Sequence, residues 1–198
     1  MAFTEFQICS RALTRIGANP IASFDDSSAE TESRVAGREW DPFVEGVLTE
    51  HRWKFARKDA ALNHTTTVQH VRFTETWQLP SDILDLHGIF LVGSDGDDIS
   101  IDFERLGDKI VCDYDETHTL YARYTYKADT TLWPPYFVEL VTEGLQAIFA
   151  EAIRRNPVQA RQIQERWEKT TKPRARAADS QQQTARSFPA SRLVAVRR

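Results

Sequence analysis

No apolar run in this 198-residue chain approaches the roughly 18 residues that suggest a membrane span. The opening Met1-Ala2-Phe3-Thr4-Glu5 lacks the basic-then-apolar layout of a signal peptide. Cysteine is scarce. Cys9 and Cys112 stand far apart in apolar surroundings, which argues against a disulfide scaffold or zinc cluster and for synthesis in a reducing compartment. There is no Gly-x-x-x-x-Gly-Lys phosphate loop and no Gly-x-Ser-x-Gly elbow. The five histidines, His51, His64, His70, His87 and His118, never fall at metal-helix spacing. Asp95, Asp97 and Asp98 hint at a calcium loop, but Ile99 takes the third position, so a hairpin turn is the reading. Glu139, Glu143 and Glu151 share a helix without forming an acid/base couple. These absences point away from an enzyme and call for no cofactor and no metal.

What is present is an ordinary globular composition, 41% hydrophobic and 27% charged, with 11 Phe, 5 Trp and 5 Tyr to fill a core. The net charge of −4 hides an asymmetry. From Arg154 to Arg198 there are 12 Lys/Arg against 3 Asp/Glu, a net of +9, which leaves −13 for residues 1–153. An acidic body with a basic arm implies that the arm meets nucleic acid, an acidic protein surface or the body of a neighbouring copy, unless it is a solvated extension. Within it, Arg154, Arg155, Arg161 and Arg166 form a basic strip without a recognised DNA-binding motif.

Periodicity places the elements. Thr4 and Gln7 have capping-box spacing, and Phe6, Cys9, Leu13 and Ile16 make an apolar stripe that stops at Gly17. Ser27 and Glu30 repeat that spacing before a longer helix with Val35, Trp40, Phe43, Val44, Val47 and Leu48 on one face. Pro42 predicts a kink or restart there. Trp53 and Phe55 close this helical segment and are expected to pack on the third helix through Leu140, Val141 and Leu145. Residues 65–128 read as a small antiparallel unit of four or five strands, with Ile99, Ile101 and Phe103 alternating in one and Leu120, Ala122, Tyr124 and Tyr126 sharing a face in another. A third helix follows Trp133-Pro134-Pro135, and a fourth opens at Asn156-Pro157. The stretch from Pro173 to Arg186 suits a helix but looks too polar to pack in a core. The fold class is therefore α+β: an antiparallel helical bundle, an inserted small antiparallel β module and an extended C-terminal arm. One domain spans 1–186, helical over 1–62 and 131–186 with the β insertion at 63–130, and 187–198 forms a docking tail.

Several segments in order carry a resemblance. They are Phe6-Gln-Ile-Cys-Ser-Arg-Ala-Leu-Thr-Arg-Ile-Gly-Ala-Asn-Pro-Ile21, the acidic small-residue loop Ser23 to Glu32, and the helix end Leu48-Thr-Glu-His-Arg-Trp-Lys-Phe-Ala56. Leu79-Pro-Ser-Asp82 and Trp133-Pro-Pro-Tyr-Phe137 complete the set. Over roughly residues 3–170 the chain resembles phage tail tubular protein A and related head–tail adaptors, which gene transfer agents also use. The resemblance implies a virion protein made in the bacterial cytoplasm and placed at the capsid–tail junction. It further implies a ring of 12 copies between the portal and a downstream tail or stopper protein. DNA would pass through the lumen without specific binding, and no membrane is involved. The portal-binding residues would be Arg186, Phe188, Arg192, Leu193, Val194, Val196, Arg197 and Arg198, with the apolar anchors inserting and the arginines steering. The alternative is a nucleic-acid-binding protein that uses the basic C-terminal region.

Overall fold

The computed structural model describes residues 3–24, 30–65, 70–94 and 96–182. Helix α1 (Glu5–Arg15) opens with the expected capping box between Thr4 and Gln7, and Gly17 turns the chain out at φ +74°. Helix α2 (Thr31–Thr49) starts from Glu30, and Ser27 of the expected second box lies outside the described residues. Pro42 does not restart the helix, which runs through it unbroken. Trp40, Val44, Val47 and Leu48 bury its inner face and hold it across the missing amide donor. After α2 the chain leaves the helix earlier than the periodicity predicts. Trp53 sits just beyond the turn, and its indole N–H donates to the Val47 carbonyl at 2.9 Å.

The β module is larger than four or five strands and begins before residue 63. Strand β1 (Arg57–Ala61) lies inside the part read as helical. Its sequence lacks β-branched residues, so full five-residue pairing with β8 decides its state rather than propensity. Strands β2 (Asn63–Thr65), β3 (Glu75–Gln78), β4 (Ile83–Val92), β5 (Asp98–Ser100), β6 (Glu104–Leu106), β7 (Lys109–Cys112) and β8 (Tyr121–Tyr126) follow. They make two antiparallel four-stranded sheets, ordered β1-β8-β4-β5 and β2-β3-β7-β6. The strand expected through Ile101 and Phe103 ends at Ser100, with one further bond to β4 from the Ile101 amide to the Ile89 carbonyl. Val71 precedes β3 and is exposed. The two sheets share one core of Trp77, Leu79, Ile89, Ile110, Cys112, Leu120, Ala122 and Tyr124. The alternation read for β8 holds there, with Leu120, Ala122 and Tyr124 fully buried.

Helix α3 (Pro135–Ala152) is the central rod of the helical unit. Leu140, Val141, Leu145 and Phe149 bury it against α1, α2 and α4. Trp53 and Phe55 join this core, but their ring contacts fall one turn earlier than expected, on Phe137 at 5.0 and 4.7 Å. Helix α4 (Pro157–Arg166) is capped by Asn156, whose side chain accepts from the Gln159 amide at 3.0 Å. It continues through a π-turn (Trp167–Thr171) into α5 (Lys172–Ser180). The fold is thus α+β, four helical rods beside two small antiparallel sheets. The stretch beyond Pro173 does pack: Ala175 and Asp179 are buried, so the described part of the arm belongs to the body.

Candidate functional site

The eight residues singled out for portal binding, Arg186, Phe188, Arg192, Leu193, Val194, Val196, Arg197 and Arg198, all lie outside the described residues. What the structure brings into view is the root from which that segment leaves. Its geometry starts at the α3–α4 turn, where Arg155 takes a left-handed φ of +49° and the Asn156 amide bonds the Ala150 carbonyl. This reversal lays α4 antiparallel on α3 and buries Ala160 and Ile163.

Trp167 then closes the crossing. Its indole N–H donates to the Leu140 carbonyl at 2.8 Å, inside the helical core. Gly144 makes that approach possible, since a Cβ there would collide with the Phe43 ring tip and press on Trp167 at 3.0 Å. The π-turn inserts here and carries the chain into α5, over three buried polar groups.

Each of these groups has at least one partner, while Oδ2 of Asp179 is buried without a hydrogen bond. Glu143 accepts from the Arg166 guanidinium and the Thr171 hydroxyl. The Lys172 amine reaches Glu50 at 2.9 Å and Glu168 at 3.0 Å, and lies 3.9 Å above the Trp167 ring. Asp179 is fully buried and ties three elements together. One of its carboxylate oxygens, Oδ1, accepts from the Lys54 amide at 3.0 Å and the Tyr136 hydroxyl at 2.8 Å. The other, Oδ2, stands 3.4 Å from Nε2 of His51. Burial and then the hydrogen bond to Asp179 push the Tyr136 phenol above its ordinary range. Burial lowers His51, with Asp179 opposing.

A hollow of about 490 Å³ remains between the first half of α3 and the π-turn and α5, lined by Tyr136, Glu139, Glu143, Thr171, Arg174 and Ala178. At its edge Glu139 is gripped by Arg15 at 2.7 and 3.1 Å and by Arg11 at 3.0 Å, and the Arg15 hydrogen bonds hold its carboxyl below the usual range. Every carboxylate around the hollow is thereby matched to a cation or hydroxyl, which suits holding helices in place rather than moving protons. Among the described residues no group of three or more His, Cys, Asp or Glu could hold a metal ion. Both cysteines are buried and unpaired, and burial raises their thiols.

Of the basic strip, Arg166 is committed to Glu143, whereas Arg154, Arg155 and Arg161 are exposed with no carboxylate in ion-pair range among the described residues. Sequence reading missed Asp179, Lys172 and Tyr136. The available signal was Asp179 itself, the only acid between Arg174 and Arg198. No protein-family model matches this chain, and no curated protein matches it either.

Proposed function

We propose that the chain is a structural head–tail adaptor of a tailed phage or gene transfer agent, a non-enzymatic ring component between the portal and the next tail protein. The observation that carries this reading is the anchored root. A basic C-terminal segment leaves an acidic body from a helix pinned by Asp179, Lys172 and Glu143, so force on the segment passes into the core. Residues 1–182, which include the packed α4 and α5, carry a net of −8 and the segment beyond them +4, which would give head-to-tail neighbours in a ring complementary charge. The ring of 12 follows from the resemblance to tail tubular protein A. Arg186, Phe188, Arg192, Leu193, Val194, Val196, Arg197 and Arg198 dock into the portal, and repetition around the ring multiplies a weak contact by avidity. The test is electron microscopy of assembled particles. A 12-fold ring at the capsid–tail junction that accepts this fold is the expected result. Particles whose junction holds no density for the chain would overturn the reading.

The exposed Arg154, Arg155 and Arg161 favour a second reading, nucleic-acid binding through the C-terminal region. It predicts duplex binding whose log K falls with log salt by about 0.9 per neutralised phosphate. Duplex binding too weak to follow at low salt would remove it.

A further inference from the structure

The outer face of the β1-β8-β4-β5 sheet carries a groove that the adaptor reading does not use. Strand β4 slips twice in its pairing with β8, between Ile83 and Asp85 and between Leu86 and Gly88. His87 is the extra residue of the second bulge, and a bulge re-aims its side chain. The imidazole turns to the face away from the sandwich core, where Nε2 lies 2.8 Å from the Thr125 hydroxyl and 3.7 Å from Asp85. The side chain is only 3% exposed, yet it lines the groove, and Nδ1 has no protein partner among the described residues.

Cations surround it. Arg57 stands directly across from Thr125 in the β1–β8 register, and Arg52 lines the same groove from the turn after α2. Neither has a carboxylate within ion-pair range among the described residues, and both are exposed. Arg123 forms the far wall. It is immobilised by Asp59 at 2.8 and 2.9 Å and by Asp98 at 3.0 Å, with its guanidinium 4.6 Å from the centre of the Phe90 ring. The floor runs Gly88-Ile89-Phe90, and a Cβ at Gly88 would meet nothing within 4 Å. The groove encloses about 330 Å³, with Ser100 and Asp98 completing its lining. Arg123 is matched by Asp59 and Asp98, so the uncommitted charge of the lining is that of Arg52 and Arg57, with Asp85 opposite.

We propose that this groove is a binding site for a tetrahedral oxyanion, a phosphate or sulfate group held between Arg52, Arg57 and Nδ1–H of His87. Arg123 is spent on its two carboxylates and serves as a rigid wall, while Arg52 and Arg57 supply the uncommitted charge. Burial and then the Arg52 charge lower the His87 imidazole. An anion on Nδ1 favours the protonated ring, against Arg52, Arg57 and Arg123 and together with Asp85 and Asp59. Binding should therefore raise the His87 pKa and tighten as pH falls.

The probe is inorganic sulfate, followed by NMR of the His87 ring in the full chain at constant ionic strength. A saturable shift of His87, with its titration moved to higher pH, is expected. The double variant Arg52→Ala, Arg57→Ala should weaken sulfate at least about tenfold, since charge-assisted contacts are lost. Arg105→Ala, an exposed arginine on β6 outside the groove, should leave sulfate binding unchanged. Inorganic phosphate and a short oligonucleotide then separate the sources. Competition by the oligonucleotide assigns the phosphate to a polymer, and its failure to compete assigns a free anion. A His87 signal that moves only linearly with sulfate, or that moves equally in the double variant, would overturn the proposal.

Discussion

The helical unit and the β module bury polar chemistry in opposite ways. The sandwich core is apolar apart from the satisfied Trp77 and Tyr124 tips, and its strong ion pairs, Arg123 with Asp59 and Asp98, stay on the outer face. The helical unit instead draws Glu143, Lys172 and Asp179 beneath α5. Apolar contacts have no direction of their own, whereas a buried carboxylate with fixed donors accepts one position. The difference teaches that the sandwich is held by volume and the C-terminal helix by registry. In the adaptor we propose, a segment that transmits docking would gain from the second arrangement.

The comparison can be broken first at its largest effect. Trp53→Ala should cost about 3–5 kcal/mol, because the indole packs on Phe137 and bonds Val47. Urea unfolding checks this, and a parental midpoint would show that the indole contributes little to the helical core. Next, Asp179→Ala should cost about 2–3 kcal/mol by stranding the Lys54 amide and the Tyr136 hydroxyl. Its signature is local: proteolysis should enter at α5 while the sandwich stays protected. Simultaneous loss of both regions would erase the distinction drawn here. Gly144→Ala should cost about 1–3 kcal/mol by wedging Phe43 and Trp167 apart, measured by thermal unfolding.

The smallest effect concerns alkali. The folded pKa of Tyr136 is raised above its unfolded value near 10, so its contribution is intact below about pH 10 and is lost as pH rises beyond that. Tyr136→Phe should cost about 1 kcal/mol at neutral pH and flatten the stability loss above about pH 10. An unchanged alkaline slope would show that another group carries it.

Much of this was legible in the sequence where a local signal and the tertiary answer agree. The Thr4–Gln7 box, the α3 entry at Pro135, the Asn156 cap and the alternation of β8 all stand as read. Strand β1 was hidden because Arg57–Ala61 becomes a strand only through β8. Pro42 misled because burial of the α2 face outweighs one absent donor. The Asp179 network was invisible since composition averages over α5, while burial is decided by which turn faces Lys54 and Tyr136. The His87 groove depends on a register slip that no single-strand pattern encodes. The portal-binding residues remain a reading of the sequence and its resemblance, for they lie beyond Gln182.

The central claim is that the body holds itself together and the last residues hold it to the portal. The measurement is complementation of particles lacking this protein with a chain deleted for Ser187–Arg198, scored by electron microscopy alongside the melting curve of the purified variant. The account predicts an unchanged melting curve and tailless heads that leak DNA. Normal tailed particles would contradict it.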